Sequence, residues 1–254
     1  MVDKLADLLQ RRVRLVMTAA GFACADHGFR RDIVDEGWLT VVMDELPRES
    51  GMLTFQVVMS VVTAPFAARM SAIGRRRSGH WHGSGLLDYR FVPPVQVAHL
   101  QPGRYDEQAQ VARRDRLVGF GLPAHMVTRQ EWEAGRLRSA AWGFPAAGGG
   151  AEEECGRALE QVVRDRILPL ARELGESRDR LRAEARSPGQ YPMIECIPGQ
   201  SGAARREVLV VLDYAPVAEV ERLLADVEEY SPRDQFISWV RERITARTQR
   251  TPHE

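Results

Sequence analysis

Lysine is almost missing from this chain. Of 254 residues, 35 are Lys or Arg, and Lys4 is the only lysine, leaving 34 arginines. Arginine keeps its charge at any physiological pH, so Schiff-base or general-base lysine chemistry is excluded as an expectation. Net charge is missing too: 35 acidic residues balance the 35 basic ones. A neutral chain gives no sequence-wide argument for nucleic acid or an anionic membrane as partner. Cysteine is scarce and odd in number. Cys24, Cys155 and Cys196 lie far apart and do not form the framework of a disulfide-rich secreted domain. No run approaches the ~20 apolar residues of a membrane span. The charged start, Met1-Val2-Asp3-Lys4, lacks a signal-peptide core. A cytoplasmic location is the resulting expectation.

Catalytic motifs are also absent. Gly-x-Ser-x-Gly, His-Glu-x-x-His and the phosphate-loop pattern do not occur. Gly119-Phe120-Gly121-Leu122-Pro123-Ala124 imitates a dinucleotide loop, but an Arg-rich segment precedes it and Pro123 interrupts it, so it is rejected. No cofactor is expected.

What is present is a hydrophobic pattern. Hydrophobic residues make up 44% and charged residues 28%, which is a globular profile. Residues 3–20 carry Leu5, Leu8, Leu9, Val13, Val16 and Ala20 at helical spacing, and Gly21 stands at the C-terminal end. Glu36–Thr63 holds two apolar runs around Pro47-Arg48-Glu49-Ser50-Gly51 and predicts a hairpin at the centre of an antiparallel sheet. Leu39, Val41 and Met43 share one face of the first run; Leu53, Phe55, Val57, Met59 and Val61 share one face of the second. The opposite face, with Thr40, Asp44, Thr54, Gln56 and Ser60, is expected to stay open as a working surface. Further strands are expected at 29–33, 86–92 and 95–100, and helices in 106–118 and 128–138.

Ala146–Gly150 marks a flexible break. After it, Glu152, Glu153 and Glu154 begin a long helix with Leu159, Val162, Val163, Ile167, Leu170 and Leu174 on one face. Pro169 predicts a kink over 165–169. Ser177 is expected to cap a short successor. Val208–Leu212 fits helix or strand. Pro216 starts another helix, and Ser231-Pro232 is expected to open the last.

The fold class is thus α+β: a mainly antiparallel sheet covered by the N-terminal helix and the long kinked helix. Residues 1–186 form the α+β domain, and 187–254 form a helical C-terminal extension packed on it. The first helix, Gly21-Phe22, Phe29-Arg30-Arg31, two alternating strands, Trp142, and Ile167-Leu168-Pro169 followed by Ser177 and Leu181 resemble the bacterial family DUF4304 over roughly 1–185. Met43-Asp44-Glu45 departs from that family's polar strand ending. The resemblance implies an α+β fold and supplies no activity or catalytic residues.

Few residues suggest chemistry. His80 and His82 flank Trp81, and two histidines two apart in an extended segment face one side, as metal ligands require. Cys24 and His27 have Cys-x-x-His spacing and would complete a four-ligand set, but nothing in the sequence unites the pairs. A solvated Gly/Ser loop is the preferred reading. Arg75, Arg76 and Arg77 precede that loop; such forks bind carboxylate or phosphate, though a short charge run is ordinarily a solvated turn. With Trp81 they are the interaction candidates. Trp38, Trp132, Trp142 and Trp239 are expected to anchor core or interface. The leading expectation is a non-enzymatic cytoplasmic binding or regulatory domain, with an immunity-like, defence-associated partner as its specific version. The alternative is a metal-dependent hydrolase using His80 and His82.

Overall fold

The computed structural model describes residues 4–25, 28–34, 36–46, 51–72, 85–91, 93–94, 98–100, 140–186, 200–230, 232 and 234–250. The elements are α1 (Lys4–Arg12), α2 (Arg14–Ala19), β1 (Ala23–Ala25), β2 (Gly28–Asp32), β3 (Trp38–Glu45), β4 (Met52–Val62), α3 (Ala64–Ala72), β5 (Leu87–Phe91), β6 (Ala98–Leu100) and β7 (Ala140–Pro145). Then follow α4 (Gly150–Val162), a π turn (Val163–Ile167), α5 (Leu168–Glu176), α6 (Arg178–Arg186), α7 (Gln200–Val211), α8 (Val217–Tyr230) and α9 (Gln235–Arg250). The expected helices in 106–118 and 128–138 lie outside the described residues.

The class is α+β. The strands join in the order β1-β2-β3-β4-β7-β6, with β5 on β4. The pairs β1–β2, β2–β3, β4–β7 and β6–β7 are antiparallel. The chain separates into two compact units: Met1–Ala20, Met43–Val57 and Arg90–Arg166 in one, Gly21–Val42, Val58–Tyr89 and Ile167–Glu254 in the other.

In the first unit, α1 packs on α4 and α4 packs on β7. Gly156 permits the first contact, since a Cβ there would meet Leu8 Cδ1 at 2.7 Å. Ala146–Gly150 is a built turn inside this unit, joining β7 to α4. Gly148 and Gly149 have φ of +80° and +96°, values that glycine adopts without a Cβ penalty. Trp142 is fully buried, stacks on Phe55 with centroids 6.0 Å apart, and donates its indole N–H to the Phe91 carbonyl at 2.8 Å. That bond satisfies the one polar atom of a large apolar side chain.

The inner face of the hairpin is buried as its alternation requires: Leu39, Val41, Leu53, Phe55, Val57, Met59 and Val61 are all inaccessible or nearly so. The expected open face is a correction. Thr54 and Ser60 are only 2% and 3% exposed, and Val58 and Val62 between and beyond them are buried too. From Val57 to Val62 both faces are apolar apart from Ser60, the composition of a strand covered on two sides. Only Thr40, Asp44 and Gln56 stay partly accessible.

In the second unit, α7 packs against α3, α6 and α8, α5 packs on α6, and α8 on α9. Val208–Leu212, readable as a strand, belongs mostly to α7 and is buried there. Ser177 caps α6 by accepting from the Arg180 N–H at 3.1 Å. The last helix begins later than Ser231-Pro232 predicts, because Asp234 is the cap: its Oδ1 accepts from the Phe236 N–H at 2.9 Å. The discontinuity expected before Pro169 is a π turn over Val163–Ile167. Pro169 offers no N–H and crowds the carbonyl four residues back; the wider turn relieves both.

Candidate interaction surface

The second unit holds two concentrations of charge, and they differ in what remains free. The first is interior. Glu207 of α7 is 2% exposed. Its Oε1 accepts from Arg182 Nε at 2.8 Å and Arg186 Nη2 at 3.0 Å; its Oε2 accepts from Arg186 Nε at 2.8 Å. Arg182 reaches on to Glu219 of α8 at 2.5 Å. The Glu207 bonds, then those to Glu219, raise the Arg182 guanidinium above its ordinary value. Glu184, also buried, pairs with Arg180 at 3.4 Å. Asp88 Oδ1 accepts from the Gly85 N–H at 2.9 Å and closes a turn. The Tyr89 hydroxyl is buried and, among the described residues, has no hydrogen bond of good geometry. Burial, with the nearby Glu184 carboxylate, pushes its pKa well up. Of these, the Glu207–Arg182–Arg186–Glu219 cluster is a set of compensated charges that ties α6, α7 and α8 together, a structural use of buried ions.

The second concentration is at the surface, on α3 and α9. Trp239 is half-buried. Arg69 of α3 places its guanidinium carbon 5.6 Å from the Trp239 ring centroid, and Arg243 places its own at 5.9 Å. Phe236 lies one turn earlier, 6.1 Å from the same ring. Both arginines are within cation–π range. Arg243 is also held in a fork by Asp213, Nε to Oδ1 and Nη2 to Oδ2, both 2.8 Å. The Asp213 hydrogen bond raises its pKa. Among the described residues no carboxylate pairs with Arg69.

Of the residues singled out by sequence, Cys24 lies exposed on β1. His27, Arg75, Arg76, Arg77, His80, Trp81 and His82 lie outside the described residues, so neither the Cys24–His27 pairing nor the His80–His82 pair is placed. Among the described residues no group of three or more His, Cys, Asp or Glu side chains could hold a metal ion. No helix among them is long and apolar enough to cross a membrane. Cys155 is a buried thiol pushed up to about 12 by burial, with the Gly143 backbone partly offsetting the rise. It is a poor nucleophile there. Comparison with protein-family models, curated proteins and solved structures finds no match to this chain.

Sequence reasoning missed Arg69, Asp213, Arg243 and Glu207. Only Glu207 left a signal, as a single acid directly before the apolar run Val208–Leu212. Arg69 and Trp239 are distant in sequence, and no motif links them.

Proposed function

We propose that this chain is a non-enzymatic binding or regulatory domain acting through protein–protein contact, with α3 and α9 carrying the surface. The observation supporting this is Trp239, an incompletely buried indole with two guanidiniums over its ring. Tryptophan and arginine concentrate binding energy at interfaces because each combines large apolar area with directed polar contacts. Membership of the DUF4304 family, an immunity-like role and a cytoplasmic setting belong to the same proposal. They rest on the resemblance and on the few scattered cysteines.

The test uses the tagged full chain expressed in its source cells. Wild type is expected to recover a protein partner at stoichiometric yield, and Trp239→Ala to lose it while keeping the wild-type circular dichroism spectrum. Equal recovery by both, or recovery of nothing, sinks the reading. Stoichiometric zinc in the purified protein, lost on His80→Ala/His82→Ala, would instead support the hydrolase alternative.

A further inference from the structure

Resting on that reading, we infer that the partner presents an acidic segment, and that Arg69 is the residue that receives its carboxylate. Charge on this surface is unevenly balanced. Arg243 spends its Nε–Nη2 edge on Asp213, whose carboxylate balances its charge. Arg241, two residues past Trp239 and so on roughly the opposite face of α9, pairs instead with Glu228 at 2.9 Å. Arg69 is half-buried beside Trp239, with no carboxylate among the described residues to balance it. The cation–π contact at 5.6 Å is electrostatic and consumes no N–H donor. The guanidinium N–H groups lie in one plane, and an adjacent pair matches the two oxygens of a carboxylate. The indole holds the fork in place, so less side-chain entropy is lost when an acid arrives. The exposed part of the ring offers apolar area to a neighbouring side chain of the same segment.

Nucleic acid fits this surface less well. A phosphate chain is held by several cations at once. Here the one other arginine that the described residues bring to Trp239, Arg243, is neutralised by Asp213. The occupant is therefore a protein segment with glutamate or aspartate next to an apolar residue.

Fluorescence anisotropy on the full chain tests this with three labelled probes: a glutamate–leucine peptide, a lysine–leucine peptide and an oligothymidylate. Wild type is expected to bind the acidic peptide alone, more weakly as salt rises. Arg69→Glu should weaken binding at least about tenfold, the loss of one charge-assisted contact. Arg69→Gln, which keeps most of the stem, should weaken it in the same direction, and it decides the matter should Arg69→Glu not fold. Arg69→Lys should restore only part of the affinity, because an ammonium cannot form the fork. Binding of the basic peptide or the oligonucleotide, lost in the Arg69 and Trp239→Ala variants, overturns the acidic partner and leaves the binding surface standing. The acidic partner is likewise overturned, and the surface kept, if the acidic peptide fails to bind while the chain recovers a Trp239-dependent partner from cells. Acidic-peptide binding unchanged in every variant overturns both.

Discussion

Replacing Glu207 should destabilise the second unit more than replacing either of its arginine partners. The carboxylate is nearly inaccessible, whereas the Arg182 and Arg186 side chains are 28% and 60% exposed. Glu207→Ala removes the acceptor of three charge-assisted hydrogen bonds and leaves two guanidiniums facing a small cavity. Breaking a fully buried pair costs about 3–5 kcal/mol. Arg186 can turn into water here, so about 3 kcal/mol is the expected loss, near the lower end of that range. Glu207→Gln keeps the shape and one acceptor and should cost about 2 kcal/mol. Arg186→Ala, on the wetter side, should cost about 1 kcal/mol or less. Urea denaturation gives these values as shifts in midpoint at constant slope, and hydrogen exchange should show the lost protection on α6 and α7. The exposed Arg164–Glu160 pair, 2.9 Å apart, is an internal control. A helical pair of that kind is worth about 0.3–0.5 kcal/mol. A double-mutant cycle giving Arg182–Glu207 no more coupling than that pair, or a Glu207→Ala loss under about 1 kcal/mol, would refute the reasoning.

Two further outcomes follow from single residues. Cys155 keeps its proton in the folded chain up to about pH 12, while the unfolded chain releases it near the ordinary thiol value of 9.0. The folded state therefore binds more protons in between. Its contribution is complete below the unfolded value and is lost as pH rises, by about 1.4 kcal/mol per pH unit. Cys155→Ala should flatten the alkaline limb of stability, and a thiol reagent should label Cys24 but not Cys155 in native protein; an unchanged limb refutes the assignment. Glu36 holds φ of +57° at the turn closed by Ile33 N–H to Gly37 O at 2.9 Å. A side chain there is strained, so Glu36→Gly should raise stability by about 1 kcal/mol, read from the thermal midpoint.

How much of this was legible depended on how local the cause is. The N-terminal helical span, which divides at Val13 into α1 and α2 where one helix over 3–20 was expected, the β3–β4 hairpin and the helix from Gly150 announce themselves because their apolar spacing is set within a few turns of chain. The Ser177 cap is equally local and stands as expected. Strand β7 was not legible. Ala140-Ala141-Trp142-Gly143-Phe144-Pro145 shows no alternation, and its extended form comes from pairing with β4 and β6, both remote in sequence. The helix at Val208–Leu212 was ambiguous for a related reason. Its β-branched run suits a strand, but Glu207 faces Arg182 and Arg186, and Arg247 satisfies the Leu212 and Ala215 carbonyls at 2.7 Å each. Tertiary partners outweighed propensity there. The interaction surface was invisible for the same reason: Arg69 gains meaning only when α9 brings Trp239 to it.

Ser60 turns the same contrast between local pattern and tertiary cover into a measurable difference. Alternation puts it on the polar side of β4, where a serine is ordinarily solvated. Instead it is 3% exposed and, among the described residues, its hydroxyl has no hydrogen-bond partner. A buried hydroxyl left unpaired costs about 1–3 kcal/mol, while the cavity left by removing one oxygen is small. Ser60→Ala should therefore raise stability by about 1 kcal/mol, whereas a serine on an open face would show almost no effect. Ser60→Val separates the two cases further: a β-branched side chain is favoured in a strand and tolerated on an open face, but in this interior it must displace close-packed neighbours and should lower stability. Stabilisation by alanine with destabilisation by valine marks the position as tightly covered. The reverse order, with valine stabilising and alanine neutral, would return β4 to the single-sided strand that its alternation describes.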